Sequence, residues 1–425
     1  MAWLTGWDNR KSVTLPLPGS LLADVPCQVW IDADGDMSNA LATGADIRVT
    51  SDDGETLLYH QFDYWTGGGG SAVTAMIRVR IVSLSAVSAT KVYVYWGKAD
   101  AADAQSTSTW RAAFKSVHHL GEASGTAADS TANGHTGTFY GNLPNAVASI
   151  LGNGQSLDGD NDYVEIADSA DFAFAGLFSL VAWLKPSAAD VGTRFIHQYD
   201  ATTATGFYLG TFTTDDGQWV FGAYAGGQAY ARSSTVPSTV AFTHVVGVRN
   251  AVDRLELYIN GVQEGVLPLK AGAIDSSGPV RFGVDYTGAN DFAGVLAEIW
   301  IMAGALSVDE ILYEFNQVTA VGHGLTWGGE ESAPTTTTTT PPPEPTTTPA
   351  PEPTTTPEPE PTTTPPPGPT TTEGPAGPTT TEAPVESLGT HVIHVARPRR
   401  VVRLARPQLT VHIGRPLKTI EVDHA

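Results

Sequence analysis

Cysteine is nearly absent. Cys27 is the single one in 425 residues, so the chain can close no disulfide of its own and its fold must rest on burial and hydrogen bonding. Cations are scarce as well, with 23 Lys and Arg against 45 Asp and Glu and a formal charge of −22. That balance argues against nucleic acid or an anionic membrane as the target of the body of the protein. No apolar run approaches the ~20 residues of a membrane-spanning helix. The opening MAWLTGWDNRKSVTLPLPG lacks the basic region, apolar core and cleavage site of a secretory signal, so the expectation is synthesis in the cytoplasm without secretion by that route. The chain also has no GxSxG, no HExxH and no GxxxxGK[ST] phosphate loop, and the expected reading is a non-enzyme.

What the chain does have is glycine (44), proline (29) and short alternating runs, a mixture that favours β-structure with many turns. Residues 1–112 carry six such runs, among them CQVWID, AMIRVRIVSL and KVYVYWGKA, and predict an all-β sandwich. Cys27, inside an apolar run, is expected to be buried and inert. Arg10, Arg48 and Asp46 are expected to bridge strand ends. Asp32, Asp34 and Asp36 alternate like calcium ligands, but Met37 stands where a calcium loop needs Gly and Thr43 where it needs Glu, which predicts a polar turn.

Residues 113–328 predict a second sandwich. Tyr163, Val164 and Ile166 form one strand-like run, FSLVAWLKP from Phe178 another, and Asn260-Gly261 marks a tight hairpin. His118 and His119 are neighbours on a predicted strand and must point to opposite faces, so they cannot readily share a metal. Ser307-Val308-Asp309-Glu310 is a capping box opening one short helix, with Ile311, Leu312 and Phe315 expected to pack inward. GNGQSLDGDNDYVEI followed by FSLVAWLKP, FTHVV and LYING resembles the laminin-G-like (concanavalin A-like) jelly-roll family. Trp7, Arg10, ADIR, SDDG and YVYWG resemble a domain of unknown function that precedes such domains in phage tail and surface proteins. In the closing strand of the laminin-G-like family an Asp-Glu pair is usual, and here it is Ala297-Glu298.

The resemblance implies two tandem β-sandwiches, the second a jelly roll that binds glycans through stacked aromatic rings. Candidates are Trp219, Tyr224, Tyr230, Tyr208 and Tyr286. Some relatives bind calcium, and Asp158, Asp160, Asn161, Asp162 and Asp291 are the residues that would do so here, with turn chemistry as the simpler reading. Glucanases of this fold use alternating carboxylates of the Glu-x-Asp-x-Glu kind, and no such string occurs.

Residues 333–384 contain only Pro, Thr, Glu, Ala and Gly, with Thr triplets recurring every eight residues; the 329–388 stretch is expected to be a disordered, extended stalk. Residues 389–425 repeat with period nine, as in IHVARP, VRLARP and VHIGRP, and hold seven basic residues. A one-sided ribbon this thin needs cover from other chains, which predicts an anchor, homo-oligomerisation and contacts with virion proteins. Nucleic acid is a weaker reading, because the arginines are placed by the repeat rather than gathered in a patch. The expectation is a phage or prophage virion structural protein of tail-fibre, head-fibre or decoration type, displaying a binder of host surface glycan. A non-phage cell-surface adhesin on the extracellular surface and a glycan depolymerase are the alternatives.

Overall fold

Strict alternation along paired strands decides the architecture. In the computed structural model the described residues are 2–334, less 189–191, 213–216, 226, 252–253 and 269–271. Of the expected stalk over 329–388, the part from residue 335 onward lies outside them, as does the nine-residue repeat. Among the described residues every strand pair is antiparallel, and the strands form four sheets stacked as two sandwiches within one unit, Met1–Thr339.

The first sandwich packs a three-stranded sheet (Leu22–Asp34, Ser71–Leu84 and His60–Gly68, in that order) on a four-stranded one. Cys27, Val29 and Ile31 point into its core, while Gln28 and Trp30 point out. Burial pushes the Cys27 thiol up to about 12, which keeps it protonated and inert. In the four-stranded sheet Val92, Val94 and Trp96 face inward, and Tyr93 and Tyr95 face outward beneath Trp3, Leu4 and Trp7. Arg10 lies over the Tyr93 ring and pairs with Glu331, and Asp46 accepts from Leu41 N and Gly97 N. Lys11 joins Asp34 and Asp36 at 2.6 Å each, so that acidic run is a polar turn with its own cation.

The second sandwich packs an eight-stranded sheet on a seven-stranded one. Phe178, Leu180, Ala182 and Leu184 of the central strand Phe178–Pro186 meet Phe195, Phe207, Leu209 and Phe221 of the facing sheet. Each large side chain buried this way contributes roughly 1.5–3 kcal/mol. Asn260 and Gly261 both adopt positive φ, 51° and 79°, as a two-residue hairpin requires.

Two features depart from the expected layout. Strand Thr326–Ser332, expected to close the second sandwich, instead pairs with Asn9–Leu15 and completes the first, so the expected boundary at 328 falls inside a strand of the first sandwich. The helix Val308–Thr319 has its capping box, but Leu312 is 38% exposed; the buried positions are Ile311, Tyr313, Glu314, Gln317 and Val318. Gln317 mimics a strand partner. Its Oε1 accepts from Gln28 N and its Nε2 donates to Gln28 O, both at 3.1 Å, covering the free edge of Leu22–Asp34.

Candidate functional site

The outward face of the seven-stranded sheet is built of aromatic rings. Cross-strand partners share a face, so the register Thr138, Glu165, Arg281, His197, Tyr208, Gly222, Tyr230 defines one row that crosses all seven strands. Six interstrand steps make this row roughly 29 Å long. The next row carries Tyr199, Gly206, Tyr224 and Gln228. Ring centroids lie 4.7 Å apart for Tyr199 and Tyr224, 5.7 Å for Tyr208 and Tyr224, and 4.8 Å for Tyr199 and Tyr286. Further along, Tyr140 and Tyr163 stack at 4.5 Å.

Glycine shapes this face. A Cβ on Gly222 would stand 2.0 Å from the Tyr208 ring, so the ring lies against the sheet where any larger residue would lift it. Gln228 Nε2 donates to both the Tyr208 and the Tyr224 hydroxyl at 3.1 Å, fixing the pair. Tyr286 arrives on a loop pinned by Asp285, whose carboxylate accepts from Thr287 N, Thr287 Oγ1, Ala289 N and Asn290 Nδ2. It stacks on His197 at 5.8 Å. Burial lowers His197 to about 3, which keeps the imidazole neutral, and its Nδ1 is buried without a partner.

The structure thus brings together Tyr224 and Tyr286 of the five aromatic candidates; Tyr208 lies beside them but is buried, 2% exposed, with the Arg194 guanidinium over its ring. Tyr230 is on the same face but toward the edge strand, against Phe212 at 5.1 Å. Trp219 is a correction: it is 1% exposed in the core against Phe195, because it alternates out of phase with Tyr224 along one strand. His197, Tyr199, Tyr140, Tyr163 and Arg194 belong to the face and were not anticipated; the spacing of two in His197-Gln198-Tyr199 was the available signal.

The acidic turn closes on itself. Asp158 accepts from Asp160 N and Asn142 Nδ2, and Asp162 accepts from Asp158 N and Asn142 N. Asn161 takes the left-handed conformation at φ 61°. Asp291 has a buried oxygen without a partner, and its pKa is raised by burial and by the charge of Asp160.

A second constellation lies between the sandwiches. Arg78, from the first, is fully buried and meets Asp63 at 3.0 Å, Glu314 of the helix at 2.9 Å and Glu298 of the second sandwich at 3.4 Å. His119 Nδ1 donates to Glu298 Oε2 at 2.8 Å, and its Nε2 lies 3.4 Å from Asp63 Oδ1. Trp300 Nε1 donates to Glu298 Oε1 at 2.6 Å. Burial alone would lower the His119 pKa, but Asp63 and Glu298 outweigh it and hold it up at about 9. Burial pushes Glu314 up to about 7 against the pull of Arg78. Among the described residues Asp63, His119 and Glu298 are the trio close enough to grip a metal ion. Arg78 and protonated His119 together balance Asp63 and Glu298, so the trio forms ion pairs. His118 points the other way, onto Phe282, as strand alternation demands. Glu298, the surviving half of the Asp-Glu pair, joins the two sandwiches and faces no cleft.

Residues 158–312 match the family described as Concanavalin A-like lectin/glucanases superfamily. The second sandwich is a concanavalin A-like domain. Residues 43–136, preceding it, match the Domain of unknown function (DUF2341). Among solved structures, domain 4 of AbnA, an extracellular arabinanase from Geobacillus stearothermophilus in complex with arabinotriose, is 18% identical over 47% of this chain and 96% of its own, with a TM-score of 0.40. The binding domain of Paraclostridial Mosquitocidal Protein 1 is 18% identical over 48% of this chain and 52% of its own (TM-score 0.40). The binding domain of botulinum neurotoxin serotype D/C is 15% identical over 49% and 53% (TM-score 0.38). This chain spans about half the length of those two toxin domains. No curated protein matches it. No helix among the described residues is long and apolar enough to cross a membrane.

Proposed function

We propose that the concanavalin A-like domain binds a surface glycan across the outward face of its seven-stranded sheet, as the display module of a virion structural protein. The observation that carries this reading is the cluster of rings on that face, with Tyr199 4.7 Å from Tyr224 and 4.8 Å from Tyr286, which is 47% exposed. Sugar rings stack on such apolar faces, and tyrosine hydroxyls serve their edges. The arabinotriose in the AbnA domain structure accords with a glycan ligand for this fold. The virion placement is supported by sequence alone: a Pro/Thr stretch suited to a stalk and a basic, strand-like repeat suited to an anchor. On this reading the repeat holds the protein to its particle, as a homo-oligomer.

Two experiments test the halves separately. On a glycan array the full chain should bind a defined class of polysaccharide, and Tyr224→Ala with Tyr286→Ala should weaken that binding by about tenfold or more, in keeping with loss of aromatic contacts. Undiminished binding by the double variant would put the site elsewhere. Deleting 386–425 should remove the protein from purified particles; truncated protein at normal copy number would overturn the anchor.

A further inference from the structure

We infer a mechanical role for the first sandwich: it clamps residues 307–332, the segment that leads out of the concanavalin A-like domain, and under tension releases that segment before the domain itself opens. The covalent path sets this up. Gly304 O and Leu306 N are still held by Ser179 of the second sandwich. The chain then runs through the helix Val308–Thr319 and the strand Thr326–Ser332 before it enters the Pro/Thr stretch. A pull between the ligand face and the far end of the chain therefore travels along 307–332 and bypasses residues 9–96 of the first sandwich. From Glu314 onward, however, the polar side-chain ties of this segment reach that bypassed sandwich. Gln317 bonds Gln28 N and O, and Glu314 accepts from Gln28 Nε2 at 2.7 Å and from Arg78 Nη1 at 2.9 Å. His323 stacks on Trp30 at 4.0 Å. At the far end Arg10, 3% exposed, meets Glu331 at 2.7 Å, and Ala333 N donates to Asp8 O at 2.8 Å.

A pull at Ser332 that is opposed at Thr326 acts along the strand, so it shears the ladder with Asn9–Leu15 instead of unzipping it bond by bond. The Arg10–Glu331 pair sits at the end that takes the load first, next to the pairing of Asn9 with Ser332. The clamp is also the weaker of two grips on the same path. Among the described residues Thr326–Ser332 is an edge strand, paired on one side only, and its register breaks between Lys11 and Val13. Ala293–Met302, by which the second sandwich holds the path, is central: Phe178–Pro186 flanks it on one side, and Gly152–Asp158 and Phe114–His118 on the other. An edge strand has ladder hydrogen bonds on one side to lose and a central strand has them on two, so 326–332 shears while 293–302 holds. The helix also touches the second sandwich, with Phe315 on Trp183 at 6.0 Å, and those apolar contacts peel away turn by turn once the strand has gone. Release lengthens the protein by up to roughly 90 Å, at ~3.3–3.6 Å per residue, while the ligand face stays folded.

The test stretches the full chain at constant load between a handle on Ala201→Cys, at an exposed hairpin tip of the second sandwich, and another at the C-terminus. Cys27 is buried and does not compete for the handle. Two steps are expected, the first of under roughly 90 Å and the second, the opening of 201–306, of roughly 350 Å. Glu331→Gln and Gln317→Ala should each speed the first step by roughly fivefold or more, as loss of a hydrogen bond implies, and leave the second unchanged. Leu312→Ala, on the helix surface beside Gly261 of the second sandwich, should change neither step. A single step of the combined length would overturn the inference. So would a short first step hastened by Leu312→Ala and not by Glu331→Gln or Gln317→Ala, since the grip would then belong to the second sandwich. No arm of the test involves a glycan or a particle, so the clamp and the binding reading stand or fall separately.

Discussion

The two outer faces of the concanavalin A-like domain can be set side by side, because they are built from similar parts. Both present large aromatic side chains: Trp183 and Trp300 on the eight-stranded sheet, and Tyr199, Tyr208 and Tyr224 on the seven-stranded one. On the first, the helix and the neighbouring sandwich cover the rings, and each indole sits among buried charges or apolar groups. On the second, Tyr208 is buried beneath the Arg194 guanidinium, but Tyr224 is partly exposed and Tyr286 is 47% exposed. The difference is in the charges. The covered face holds three carboxylates against Arg78 and His119 in a buried cluster, whereas on the open face Glu165 pairs with Arg281 at 2.8 Å at the surface. Aromatic content alone therefore does not distinguish the two faces; their cover and the burial of their charges do.

Breaking the covered face should have the largest effect. Arg78→Met leaves Asp63, Glu298 and Glu314 facing one another in a buried site, and should cost about 3–5 kcal/mol in a urea titration of the full chain. If the loss is within error, the ion cluster does not hold the sandwiches together.

Titration should reveal the same cluster without mutation. The folded pKa of His119, about 9, is above its free value, so its contribution is complete below pH ~6.5 and is lost as pH rises through about 9. Stability should fall by about 3 kcal/mol across that alkaline window, and His119→Gln should flatten the slope. His244, lowered to about 3 by burial, acts in the opposite sense: its contribution is present above pH ~6.5 and is lost as pH falls toward 3. Glu314, raised to about 7, gains as pH falls, which offsets part of that acid loss. The alkaline flank is the cleaner measurement.

On the open face, Gly222→Ala should cost about 1–3 kcal/mol, because the new methyl group meets the Tyr208 ring, and should impair binding along with stability. Tyr224→Ala should separate the two, with a large loss of binding and a stability change of about 1–2 kcal/mol for a partly buried ring. Smallest of all, millimolar calcium should leave the melting temperature unchanged. A rise of several degrees would assign the partnerless oxygen of Asp291 to an ion.

Alternation made much of the fold legible: the strands around Tyr163 and Phe178, the Asn260-Gly261 hairpin and the Ser307 capping box all lie where local chemistry puts them. The site was only half legible. Trp219 and Tyr224 are five positions apart on one strand, an odd spacing that sends them to opposite faces, so a parity check would have removed Trp219. The ion cluster had no local signature. Arg78 and Glu298 are 220 residues apart and meet only when two sheets stack. The return of Thr326–Ser332 to the first sandwich was equally hidden, since its TWGGEES alternates too weakly to indicate a partner.

That returning strand sets an order of events during synthesis. Asn9 pairs with Ser332, so the edge of Asn9–Leu15 stays bare until the ribosome has made the whole concanavalin A-like domain. Until then the nascent first sandwich presents an unpaired edge to any other chain nearby. The domain between must therefore fold as an insertion inside an unfinished neighbour, and closure must wait for one of the longest-range contacts in the body.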